Sequence, residues 1–217
     1  ELQDALVAAA LPRRLAGGQR LFSRGDPPDG LYAVLDGAVR ITATTEGGKE
    51  VLLTLIEAPT WFGEISVFDG RPRTHDAVAD EDALVLHVPQ GALDALLERE
   101  PRHWRDVGRL VAGKLRLALV TMEDIASLPL AARLARRLVL MAEGYGEWHD
   151  RSRRVLEVRQ EQLALMLSTS RQTANQLLKD LAAQGLVRLA YGQVEVVDLE
   201  GLRRAAGLEA ADARQKP

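Results

Sequence analysis

QEQLALMLSTSRQTANQLLKDLAAQG, from Gln160 to Gly185, parses as two helices joined by a tight turn. The first covers about Gln160–Leu167, and Ser168-Thr169 turn the chain. Ser170 suits the cap of the second helix, because its hydroxyl can accept from the free amides of the next turn. That helix runs from Arg171 to about Ala183. Its apolar residues Ala174, Leu177, Leu178 and Leu181 share one face, which leaves Arg171, Gln172, Asn175, Gln176 and Lys179 on the other, with Thr173 in the first turn. Such a face suits the edges of base pairs in a major groove, where arginine pairs bidentately with guanine and Gln or Asn with adenine. A solvated surface helix has the same composition, so the pair alone leaves both readings open. Beyond it, Gly185 closes the helix. Leu186–Leu189, the turn Tyr191-Gly192 and Val194–Val197 then read as two short strands, a wing.

Upstream the period changes. From Arg20 to Val88 short apolar stretches alternate with turn residues, a β pattern. Strands are expected at Arg20–Phe22, Gly30–Leu35, Ala38–Thr42, Val51–Ile56 and Ala83–Val88, separated by Gly25-Asp26-Pro27-Pro28, Asp36-Gly37 and Gly47-Gly48. So many short strands imply a sandwich or barrel. Leu2–Ala10 reads as a short helix, and Ala92–Arg99 as another. Pro101 can open a helix of about 25 residues that continues towards Pro129. Within it Gly108, Val111, Leu115, Ala118, Met122 and Ile125 recur at alternating spacings of 3 and 4. That is the seam of two helices packed along their length, or else a stripe buried against the chain's own barrel. Leu130–Ala142 is a further amphipathic helix, with Leu134, Leu138 and Met141 on one side and Arg133, Arg136 and Arg137 beside them. Glu143–Arg154, with Tyr145, Trp148, Arg151 and Arg153, reads as a loop that either approaches a phosphate backbone or is simply solvated.

Composition narrows the function classes. Hydrophobic residues make up 47% and charged residues 27% of 217, values typical of a globular chain and not of a disordered one. The length favours two small domains. No apolar run approaches a bilayer span and no signal pattern opens the chain, so a cytoplasmic location without membrane contact is expected. The absence of cysteine removes thiolate nucleophiles, cysteine-ligated zinc and iron–sulfur clusters. His75, His87, His103 and His149 lack the spacing of paired ligands on a helix face. Neither a catalytic nor a metal site is therefore expected, and an enzyme is the weakest reading. Charge is uneven: residues 1–150 carry 17 Lys and Arg against 23 Asp and Glu, and residues 151–217 carry 11 against 8. The C-terminal part is the one a polyanion would approach.

The order of these parts, with Gln160-Glu161-Gln162-Leu163-Ala164, then Ser170-Arg171-Gln172-Thr173, then Gly185-Leu186-Val187, resembles the Crp/Fnr superfamily of bacterial transcription regulators, which includes the cyclic-AMP receptor protein. The resemblance covers almost the whole chain. It implies an α+β fold with an N-terminal β jelly-roll barrel like the cyclic nucleotide-binding domains (1–100), a dimerisation helix and hinge (101–128) and a C-terminal winged helix-turn-helix (129–217). It implies a sequence-specific regulator of transcription, a homodimer on palindromic double-stranded DNA, with RNA polymerase as a further candidate partner. Arg171 would then contact a base edge. Gln172 and Gln176 would flank it, and Arg159, Ser170, Thr173, Asn175 and Lys179 would complete the interface. The cyclic-AMP receptor protein has Glu and Arg where the two glutamines stand, so the operator should differ.

Phe62-Gly63-Glu64-Ile65-Ser66-Val67-Phe68, followed by Arg73-Thr74, resembles the phosphate-binding cassette of that family. The resemblance makes Gly63, Glu64, Ile65, Ser66, Arg73 and Thr74 the effector-binding set for cyclic AMP or another cyclic nucleotide. Backbone amides, Arg73 and Thr74 would hold the phosphate and Glu64 the ribose. A mutual Glu64–Arg73 ion pair is the alternative. Two features depart from the family pattern. His75-Asp76 follow the cassette, and Ala118 and Leu119 stand where the cyclic-AMP receptor protein offers hydroxyls to adenine. An effector other than a nucleotide, no effector, or a sensing module that acts on a protein partner therefore stay open as alternatives.

Overall fold

The computed structural model describes residues 2–48, 50–144 and 154–208. It contains two compact units, residues 1–115 and 116–217. In the first, helix α1 (Leu2–Ala9) precedes eight strands: β1 (Leu11–Leu15), β2 (Arg20–Phe22), β3 (Gly30–Asp36), β4 (Ala38–Thr44), β5 (Glu50–Glu57), β6 (Thr60–Phe62), β7 (Asp76–Ala79) and β8 (Ala83–Pro89). They form two four-stranded antiparallel sheets, ordered β1-β8-β3-β6 and β2-β7-β4-β5, the double-sheet arrangement of a jelly roll. Gly37 carries the chain from one sheet to the other. Its φ is +72° and a Cβ there would meet Asp82 O at 2.4 Å, so no other residue fits.

The inner faces close on Phe22, Tyr32, Val34, Val39, Ile56, Phe62 and Val85. Tyr32 stacks between Phe62 at 5.6 Å and His87 at 4.5 Å. A second apolar layer gathers Leu6 of α1, Leu31, Val88, and Leu93, Leu96 and Leu97 of helix α3 (Gln90–Arg99) with Val107. The strands expected from alternation are all present. Three more, β1, β6 and β7, are not legible in the pattern. β1 and β6 lie at sheet edges, where proline and short length are tolerated, and Leu11-Pro12-Arg13-Arg14-Leu15 hides its pairing behind a proline and two arginines. β7 is built on Ala77 and Ala79, residues of low strand preference. Within the cassette, Glu64–Asp69 form a short helix, α2.

Helix α4 (Trp104–Ser127) follows a 3-10 turn at Pro101–His103, close to the expected start. In the second unit, α5 (Leu130–Ala142) buries Leu134, Leu138 and Met141 as its periodicity requires. α6 (Gln160–Met166) and α7 (Arg171–Ala183) form the helix pair, and β10 (Val187–Ala190) and β11 (Gln193–Val196) the wing. A third strand, β9 (Val155–Leu156), pairs with β11, and a last helix, α8 (Leu199–Ala205), closes the core through Leu202. Neither is part of the sequence reading: β9 has only two residues, and α8, with Gly201, Arg203 and Arg204 among its seven, shows little apolar periodicity. Of the basic loop, residues 145–153, with Tyr145, Trp148, Arg151 and Arg153, lie outside the described residues.

Candidate DNA interface and effector pocket

The α6–α7 turn is built by local bonds. Ser168 sits at φ 53°, and Thr169 N donates to Ala164 O at 2.9 Å. Ser170 takes an extended conformation, and its Oγ accepts from Thr173 N at 3.0 Å. α7 seats Ala174, Leu178 and Leu181 in the core. Geometry then leaves Arg171, Gln172, Thr173, Gln176 and Lys179 exposed, with Asn175 half-buried. Gln176 Nε2 donates to Asp180 Oδ1 at 2.9 Å, which fixes the orientation of its amide. Arg159 is exposed at the start of α6, where its backbone N–H donates to Gln162 Oε1. The wing turn projects Tyr191, fully exposed at 105%, and Arg188 pairs across the hairpin with Glu195 at 2.6 Å. Tyr191 is legible in the sequence only as a turn residue; its projection depends on how the hairpin stands.

In the barrel, Gly63 has φ 92° and opens α2. A Cβ on it would lie 2.8 Å from Arg73 Nη1. Glu64 and Ser66 are buried, while Ile65 and Thr74 are exposed. Glu64 and Arg73 are not partners of each other. Glu64, 2% exposed, accepts from Lys114 Nζ at 2.8 Å, and Lys114 also donates to Trp61 O at 2.9 Å. Lys114, from the first half of α4, is a cassette contact that sequence spacing could not reveal.

Arg73 is turned inward. Its Nη2 donates to Asp29 Oδ1 at 2.5 Å and to Gly30 O at 2.7 Å, and its Nη1 to Gly63 O at 2.8 Å. Its guanidinium lies 4.4 Å from the centre of the Phe22 ring, and its Nε is buried without an acceptor. Asp29 also accepts from Tyr32 Oη at 2.5 Å. Burial works to raise the Asp29 pKa, but the bonds from Tyr32 and Arg73 and the Arg73 charge outweigh it and hold the carboxyl below its ordinary 3.8. The expectation that Arg73 stands open to a phosphate is thus not the arrangement seen; Asp29 occupies its fork. Asp76 accepts from Arg24 N and Arg20 Nη1, and Thr74 Oγ1 lies 2.9 Å from His75 Nδ1. Burial, then Arg24, lower the His75 pKa against Asp76.

Residues 12–100 match the cyclic nucleotide-binding domain family, and residues 132–205 the Crp-like helix-turn-helix domain family. The CRP-like cAMP-activated global transcriptional regulator of Mycobacterium tuberculosis is 30% identical over 203 residues, which are 93% of this chain and 91% of that protein. The cyclic AMP receptor protein of Thermus thermophilus is 34% identical over 206 residues, 94% and 89% of the two chains. The chain belongs to the Crp/Fnr superfamily. A solved CRP-family transcriptional regulator of Thermus thermophilus superposes with a TM-score of 0.69 at 28% identity, covering 92% of this chain and 100% of that one.

As a Crp/Fnr member the protein is a DNA-binding transcription regulator and not an enzyme. Among the described residues, no helix is long and apolar enough to cross a membrane. The α4 seam is in large part open to solvent: Leu115, Met122 and Ile125 are 57%, 66% and 62% exposed, and Leu119 beside them 56%. A stripe that the chain does not bury on itself needs other cover.

Proposed function

We propose that this Crp/Fnr regulator works in the cytoplasm as a homodimer joined along α4, with residues 1–100 sensing an effector, 101–128 forming the dimer helix and hinge, and 129–217 binding a palindromic operator. The observation that carries the reading is α7. It is capped by Ser170, anchored by three core residues, and presents Arg171, Gln172, Gln176 and Lys179 outward. In this reading Arg171 reads a base edge through its bidentate fork, while Ser170, Thr173 and Lys179 face phosphates and Arg159 and Asn175 complete the contact. A two-fold dimer places its two recognition helices about one DNA turn apart, and effector binding biases their spacing.

The proposed effector is a cyclic nucleotide, cyclic AMP first, held by the amides at Gly63–Ser66, by Glu64 with Lys114, and by Thr74 and Arg73. Its support is the cassette and the cAMP-activated relatives. One observation favours a second reading, an effector of other chemistry or none: Arg73 is already bound by Asp29, so a cyclic phosphate must displace a carboxylate to reach it. Calorimetric titration with cyclic AMP and cyclic GMP separates the two. Thr74→Ala is the control, because Thr74 is exposed and its loss leaves the core intact. Binding that weakens roughly tenfold in the variant supports the nucleotide; silence with both ligands supports the second reading. Operator binding is tested by selecting sites from random duplexes, and recovery of an inverted repeat is the expected result.

A further inference from the structure

In the second unit, the last turns of α4, the body of α5 and the turn after α6 line a half-open cavity of about 100 Å³. Asp124, Arg133, Arg137 and Ser168 form its polar wall, and Leu140 and Met166 its apolar one. Asp124 is paired through Oδ1 with Arg136 Nη1 at 3.1 Å, and the charges of Arg137 and Arg133 also act on its carboxyl without overcoming the rise in pKa that burial causes. Arg133 donates through Nη2 to Leu167 O at 3.0 Å, yet its Nε is buried with no acceptor. Arg137 is only 9% exposed and has no hydrogen bond or ion pair among the described residues. Among the described residues Arg136 alone of these three guanidinium groups pairs with Asp124; Arg133 keeps its Nε without an acceptor, and Arg137 lines the cavity with no hydrogen bond. Buried cations are ordinarily paired, because an unmatched guanidinium away from water is costly. A fork with open donors matches carboxylate or phosphate oxygens.

We propose that this cavity is an anion site, distinct from the barrel cassette, that takes a small organic oxyanion, a phosphate head on Arg137 and Arg133 with a short apolar body against Leu140 and Met166. Such a ligand would bridge α4, α5 and the Ser168 turn that sets the start of α7, so its occupancy would bear on how firmly the recognition helix is held. The site does not depend on what the barrel binds, nor on whether the barrel binds anything.

Met166 provides a local readout. The chain has three methionines; Met122 and Met141 do not line the cavity. Full-length protein carrying ¹³C-methyl methionine is titrated by NMR with inorganic phosphate and with butyl phosphate. The expected result is a saturable shift of the Met166 methyl, with Met141 unmoved and butyl phosphate binding the tighter. In Arg137→Gln the affinity should fall roughly ten- to a hundred-fold. Should that variant melt early, Arg137→Lys keeps a cation and its stem while losing the fork, and should still weaken binding. A Met166 methyl that does not move with either probe overturns the proposal, as does a shift of equal midpoint in the Arg137 variants.

Discussion

Arg171 and Arg73 are both arginines beside a hydroxyl residue, and they have opposite fates. Arg171 is exposed at the first turn of α7, where nothing in the core competes for its fork. Its replacement by alanine should cut affinity for the selected operator roughly ten- to a hundred-fold, as expected of one bidentate base contact, with an unchanged melting temperature. Equal affinity for operator and scrambled DNA in both proteins would remove it from base reading. Arg73 is buried over Phe22 and bound to Asp29, so its loss falls on the fold as well as on any ligand. Asp29 gives this network a pH signature. A carboxyl whose folded pKa lies below its unfolded one stabilises in full above the unfolded value, and loses that contribution as pH falls through the folded value. The Asp29 pKa is lowered from 3.8. Denaturant melts of the protein and of Asp29→Asn should therefore differ most at neutral pH and converge in acid below 3.8. A gap that ignores pH would mean that the charge of Asp29 is not what matters.

At the scale of elements, α7 illustrates how local chemistry sets a boundary. Ser170 Oγ accepts from Thr173 N, so Ser170→Ala should destabilise the second unit by about 1 kcal/mol. The measurement is a denaturation midpoint followed by helix signal, and an unchanged midpoint would assign the helix start to packing instead. The helices are legible because apolar residues at spacings of 3 and 4 mark one face: Leu134, Leu138 and Met141 in α5 are buried as that pattern demands. The strands that escape are those where the pattern is diluted, such as Pro12-Arg13-Arg14 in β1, or short, such as β6 and β9. Their pairing energy comes from β8, β3 and β11, partners that a linear reading does not supply.

For the molecule as a whole, the exposed seam decides the prediction. Met122→Glu would place like charges across a two-fold helix interface. The variant should sediment as a monomer at micromolar concentration and lose binding to the full inverted repeat while each chain stays folded. A monomeric parent that still binds the repeat specifically would sink the dimer reading. Charge acts at the same scale: the basic balance of residues 151–217, with Arg171 and Lys179 on α7, implies that operator affinity falls steeply with added salt.

Whatever depends on near neighbours can be read along the chain: the two periodicities, the capped start of α7, the glycine that ends it, and the order barrel, long helix, winged helix-turn-helix. Which charges meet is visible only in three dimensions. Arg73 finds Asp29 across 44 positions and Glu64 finds Lys114 across 50, while Arg137 is left with a cavity. Side-chain pairing depends on distance in space and on what water is excluded, and neither is written in the spacing of residues along the chain.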